Sequence, residues 1–130
     1  MKFGYTIIYV PDVRTSLEFF KDAFGIQTRF IHESGDYGEL DTGMTTLAFA
    51  SHALGLQNLP VGYVAASDSP KPLGIEIALI TENVKESHAK ALKAGAKAIK
   101  DPEVKPWGQT VSYLQCQDGT LVELCSPMGQ

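Results

Sequence analysis

Apolar positions along this chain follow two rhythms, one of period two and one of helical period, and the order of the rhythms repeats. Residues 4–10, GYTIIYV, are β-branched and aromatic, which predicts a strand. Asp12 can cap a helix, and Val13, Leu17, Phe20 and Phe24 then recur at helical spacing until Gly25. Residues 28–33, 37–41 and 45–50 read as three strands, the last two joined at Asp41-Thr42-Gly43. Residues 52–73 break the rhythm with three prolines and scattered Ser, Asn and Gly, and predict a connecting segment. The order then returns. Residues 74–80 predict a strand, Asn83 with Glu86 predicts a capped helix ending at Gly95, and residues 96–100, 109–116 and 120–125 predict strands. The last two are joined at Gln117-Asp118-Gly119.

The predicted fold class is therefore α+β, as tandem βαβββ modules forming a cupped, antiparallel-rich sheet with helices on its outer face. One domain spans 1–130, made of modules 1–51 and 74–127 joined by segment 52–73. Aligning Asp12-Val13 with Asn83-Val84 places Tyr5 on Glu76, and aligning Gly43 with Gly119 places Leu47 on Glu123. Strand parity puts Glu76 opposite Ile75 and Ile77, and Glu123 opposite Val122 and Leu124. If the helix covers the apolar side, these marked residues share the free face. The same reasoning assigns Tyr5, Tyr9, Leu47 and Phe49 to the lining of a groove there, while Trp107 falls in the loop after residues 96–100.

Bulk composition narrows the partners. Charged residues are 20% of the chain and the net charge is −4, with no basic stripe, so nucleic acid is not expected. No apolar run is long enough to span a bilayer, and the N-terminal alternation reads as a strand rather than a leader. Two cysteines, Cys116 and Cys125, are no disulfide framework, and a reduced cytoplasmic protein is expected.

Three segments, TIIYVPDVRTSLEFFKDAFG, GIEIALITENVKESHAKALKAGA and PWGQTVSYLQCQDGTLVELCSP, in that order and spacing, resemble the vicinal oxygen chelate superfamily, the glyoxalase, bleomycin-resistance and extradiol dioxygenase group. The resemblance implies four metal ligands, usually His on the two first strands and Glu on the two last, and places the Trp107-Gly108 loop at the rim of the binding groove. This sequence has Tyr5 and Glu76, then Leu47 and Glu123, at the positions so aligned. The expectation is thus no resident cofactor, with Mg²⁺ or Mn²⁺ on Glu76 and Glu123 as the alternative. The leading functional reading is a homodimer binding a small, cationic or amine-bearing molecule in the groove. The alternative is a lyase or isomerase in which Glu76 and Glu123 transfer protons. A protein-interaction module is a third reading, and it requires a filled sheet face. The histidines fall off the ligand positions: His88 reads as structural, and His32 is held in reserve for proton transfer.

Overall fold

A computed structural model of the chain describes residues 1–128, so the last two positions of the expected 1–130 domain lie outside it. The elements are β1 (Tyr5–Val10), α1 (Val13–Phe24), β2 (Thr28–Ile31), β3 (Tyr37–Leu40), β4 (Thr46–Ser51), α2 (His52–Asn58), β5 (Glu76–Ile80), α3 (Val84–Ala94), β6 (Lys97–Val104), β7 (Thr110–Gln115) and β8 (Leu121–Cys125). They form two four-stranded sheets, in the orders β1-β4-β3-β2 and β5-β8-β7-β6. Within each, the first strand runs parallel to the last and the remaining pairs are antiparallel. The α+β duplication is present as two mixed sheets rather than one continuous cup.

Both main helices start and stop where side-chain chemistry dictates. Asp12 accepts the Thr15 N–H at 3.0 Å, and Asn83 accepts the Glu86 N–H at 3.1 Å, each satisfying a donor left free in the first turn. Gly25 and Gly95 end the helices with φ of 71° and 116°, a backbone state that costs other residues dearly.

α1 covers one face of the first sheet, α3 covers one face of the second, and the two helices pack on each other. Val13, Leu17 and Phe20 join Val84, Ala91, Leu114, Val122 and Leu124 in one core that runs through both modules. Gly38 on β3 leaves room for this packing, because a Cβ would meet the Leu17 side chain at 2.7 Å and force it to shift. Ser16 on α1 donates to Asp118 in the β7–β8 turn at 2.6 Å, a polar tie between the modules.

The connecting segment is more ordered than its composition predicts. Ser51 accepts the Leu54 N–H at 3.1 Å and caps α2, and a short 3-10 turn follows at Ala66–Asp68. The segment lies back on its own chain: Tyr63 stacks on Tyr9 with ring centroids 4.8 Å apart. Gly55 makes this possible, since a Cβ would meet the Tyr63 hydroxyl at 2.7 Å. Among the described residues no helix is long and apolar enough to cross a membrane.

Two groove assignments are corrected. Leu47 and Phe49 lie in the core, and the Phe49 ring packs edge-on against Phe20 of α1 at 5.2 Å. The reason is register. Tyr5 pairs with Thr46 while Glu76 pairs with Leu121, so Ala48, not Leu47, is the counterpart of Glu123. Gly43 stands three residues before Thr46, whereas Gly119 stands two before Leu121, so aligning the two glycines slips β4 by one position. A one-residue slip exchanges the two faces of a strand. Accordingly Phe49→Ala is expected to lower the unfolding free energy by about 3–5 kcal/mol, while Tyr5→Ala changes it by less than about 1 kcal/mol. Urea unfolding of both variants checks this, and a mild Phe49→Ala phenotype would return that side chain to the open face.

Candidate functional site

The uncovered face of the second sheet carries a pair of carboxylates. Glu76 opens β5, and Glu123 sits in the middle of β8 opposite Ala78. Because Glu76 itself pairs with Leu121, Glu123 is its diagonal neighbour on the same face. Val122 and Leu124, the residues flanking Glu123, are buried on the helix side, which fixes the direction of its side chain. Tyr113 on β7 lies directly across from Glu123. The Glu76 carboxyl is pushed up to about 7 by a hydrogen bond with Glu123, by partial burial and by the Glu123 charge. Two neighbouring carboxylates cannot both ionise cheaply, which is why Glu76 holds its proton more tightly than a free carboxyl does. The Tyr113 hydroxyl is raised by burial first and then by the Glu123 charge, so it remains a protonated donor beside the pair.

The other expected groove residues are divided between the sheets. Tyr5 and Tyr9 lie on the first sheet and Glu76 and Glu123 on the second, with no backbone ladder joining the two. Tyr5 is exposed, whereas Tyr9 is half-buried under Tyr63. Trp107 sits in the turn between β6 and β7, mostly exposed, with its indole N–H donated to Gln109 at 2.9 Å. Gln109 in turn donates to the Ser126 carbonyl, so Trp107 stands at the end of the sheet where β8 finishes, and Glu76 at the end where β8 starts.

The histidines are held elsewhere. His88 is buried, with Nδ1 against the Ser112 hydroxyl at 2.9 Å and Nε2 3.7 Å from Asp101, and burial holds it below the usual imidazole range. His52 meets the Tyr63 hydroxyl at 2.7 Å, and His32 meets Ser34 in the β2–β3 turn at 2.9 Å. Both cysteines are buried and free. Burial pushes the Cys116 thiol well up, which leaves it unreactive.

The sequence reading gave Tyr37 no role and Glu39 none beyond a possible ligand contact. Glu39 and Tyr37 share the uncovered face of β3, and Tyr37 donates to the Glu39 carboxylate at 2.8 Å. Glu39 pairs with Ala48 just as Tyr113 pairs with Glu123. The carboxylate of the first module has thus moved one strand over, to the position where the second module has a tyrosine. The alternation of Tyr37 and Glu39 about Gly38 was the available signal.

Residues 3–129 match the family described as Glyoxalase-like domain. The chain belongs to the glyoxalase-like domain family. Solved structures agree on the fold. A glyoxalase-related enzyme from Fulvimarina pelagi superposes with a TM-score of 0.82 at 17% identity, covering 99% of this chain and 93% of that one. A glyoxalase/bleomycin resistance protein/dioxygenase family enzyme from Burkholderia phytofirmans PsJN gives 0.81 at 20% identity, covering 97% and 98%. TioX from Micromonospora sp. ML1 gives 0.69 at 16% identity, covering 97% and 98%. A search of curated proteins finds no significant match.

Within this glyoxalase-like fold, the positions that would carry the superfamily's metal ligands are Tyr5, Ala48, Glu76 and Glu123. They do not fit a four-ligand site. Alanine offers no donor, and among the described residues no group of three His, Cys, Asp or Glu side chains converges. The upward shift of Glu76 has a thermodynamic consequence. Glu76 titrates at about 7 in the fold against 4.5 as a free group. The folded state then binds the proton more tightly, so this stabilisation is present below the unfolded value and is lost as pH rises through about 7. Glu123→Gln removes the repulsion. Its melting temperature relative to the native chain is expected to rise steadily between acidic and mildly alkaline pH, and a difference independent of pH would show that the two carboxylates do not interact.

Proposed function

We propose that this glyoxalase-like protein binds a small amine-bearing molecule at the Glu76–Glu123 pair, without a resident metal ion. The observation that carries the reading is the placement of two carboxylates, Glu76 and Glu123, as diagonal neighbours on one sheet face. A protonated amine supplies both a positive charge and N–H donors, and can neutralise the pair in place of a proton. Tyr113 and the small Ala78 bound the space beside the pair, and the face is uncovered within the chain. A lyase or isomerase reading rests on the same feature, because a carboxyl near 7 is poised to give or take a proton at neutral pH. In that reading Glu123→Gln abolishes turnover, and a fully active variant rules it out.

Calorimetry with putrescine tests the binding reading. Binding must displace a proton held at about 7, so affinity is expected to be about tenfold higher near pH 8 than near pH 6. Glu123→Gln should weaken it at least about tenfold, in line with loss of a charge-assisted hydrogen bond, and millimolar Mg²⁺ or Mn²⁺ should leave the melting temperature unchanged. Equal affinity at both pH values would sink the reading, as would strong stabilisation by either metal.

The protein also acts as a homodimer in this proposal. β1 and β5 are both open edges, and a cleft of about 260 Å³ lies between them, walled by Ile7, Tyr63, Ile77 and Leu121. Val64 and Ile75 stand exposed at its lip, with Phe3 close in sequence to β1 and also exposed. Unpaired edges bordered by apolar side chains favour a second copy of the same chain. Ile75→Lys is expected to shift the native dimer to monomer in analytical ultracentrifugation, and a native chain that is already monomeric at micromolar concentration removes this part of the proposal.

A further inference from the structure

A second cavity, of about 250 Å³, opens where the end of α1 meets β5 and α3. It lies on the helix side of the second sheet, because Leu124, which lines it, is buried and points the opposite way from its neighbour Glu123. Ala23 of α1 and Leu124 of β8 form its floor. Phe24 and Ile26 of the first module stand across from Leu79 of the second, all three half-buried against the shared core. The cavity therefore exists only where the two modules pack together. It is smaller than the roughly 300–1,000 Å³ of pockets that enclose drug-sized ligands, so its occupant is a molecule of a few carbons.

Its polar side chains offer hydrogen-bond donors. Lys90 is the one charged residue that lines it. The Lys90 ammonium reaches from α3 to the end of α1, 3.9 Å from where a Cβ on Gly25 would stand. The negative end of α1 favours a cation there. Among the described residues Lys90 has no ion-pair partner. Thr81 and Ser87 also line the cavity, and their hydroxyls bond to each other at 2.8 Å. The Asn83 N–H donates to Thr81 at 3.4 Å. The bond between the hydroxyls uses one of their two hydrogens, whichever group donates. The other hydrogen has no acceptor among the described residues. Ser87 and Lys90 stand one turn apart on α3, so the hydroxyl pair and the ammonium share one side of the cavity. An ammonium and an O–H placed together are the donors that the two oxygens of a carboxylate take up.

We infer that this cavity binds a small carboxylate with a short apolar chain. Lys90 and the Thr81–Ser87 hydroxyl pair hold its oxygens, and Phe24, Ile26 and Leu79 meet its carbons. The donors are side-chain groups, and the N-terminus of α3 takes no part. The site is independent of the Glu76–Glu123 pair, since it lies on the other side of the sheet and selects the opposite charge.

Butyrate is the probe, with butyramide as its uncharged counterpart of the same shape. Titration followed by methyl ¹H–¹³C NMR should shift the resonances of Ile26, Leu79 and Leu124. Ala78, across from Glu123 on the other face, should not move. Butyramide should bind at least about tenfold more weakly, the worth of one hydrogen bond to a charged group. Lys90 is exposed, so its replacement leaves the core intact. Lys90→Gln should weaken butyrate by a similar factor, and Lys90→Glu should abolish the shifts. Glu123→Gln should leave butyrate binding unchanged and Lys90→Gln should leave putrescine binding unchanged, so the two proposals fail independently. An absence of methyl shifts at tens of millimolar butyrate overturns the inference. Equal binding of butyramide, or a Lys90→Gln variant that binds butyrate as the native chain does, overturns it as well.

Discussion

The packing of α1 against α3 is the contact on which the rest of this molecule depends. Each helix has two obligations, to cover its own sheet and to bury its flank against the other helix. Leu17 and Phe20 meet the first sheet, Val84 and Ala91 the second, and the cores merge into one. A chain of this size gains its stability from such a shared interior, since either four-stranded module with one helix would bury too little alone. The consequence is directional. With both helices committed inward, each sheet keeps a face that neither α1 nor α3 covers, although α2 lies against the Tyr9 end of the first one.

Parity then decides what those faces contain. On β8 the residues facing the helix are Val122 and Leu124, leaving Glu123 outward; on β4 they are Leu47 and Phe49, leaving Ala48 outward. The first module compensates from the next strand, where Glu39 points out beside Ala48. The two faces are thus related by descent of architecture but not by chemistry. One holds two neighbouring carboxylates, of which Glu76 is pushed up to about 7. The other holds a single carboxylate hydrogen-bonded by Tyr37, whose own hydroxyl is pushed up to about 12 by burial and by that bond.

Most of the fold was legible because it is written in local chemistry. Asp12, Asn83, Gly25 and Gly95 punctuate the helices by rules that need no tertiary knowledge. Glu76 and Glu123 could be found as neighbours because both sit in strands whose apolar alternation fixes their direction. The errors came where local signals were matched across the repeat. Gly43 and Gly119 both adopt positive φ in hairpin turns, yet stand at different distances from the strand that follows, so pairing them misplaced Leu47 and Phe49. Helix α2 escaped because its support is tertiary: only seven residues long and interrupted by Gly55, it is held by Tyr9 and Tyr63 rather than by propensity. Glu39 escaped because nothing local distinguishes it from a surface carboxylate; its burial comes from strand neighbours on both sides.

The absence of imidazole from the aligned ligand positions changes which cation the second sheet prefers. Three kinds can neutralise a carboxylate pair: a proton, a divalent metal or an organic ammonium. A divalent ion bound by two carboxylates keeps most of its water and gains little from the protein. A proton needs no coordination shell and lowers the repulsion at once, which is why Glu76 holds one up to about pH 7. An ammonium group can compete with that proton because it brings charge and several donors together, and because Tyr113 and the neighbouring apolar positions can meet its carbon skeleton. Replacing metal-binding side chains in this scaffold therefore need not leave an inert surface. On the proposed reading it leaves one whose occupancy by a basic ligand is coupled to pH through the Glu76 carboxyl.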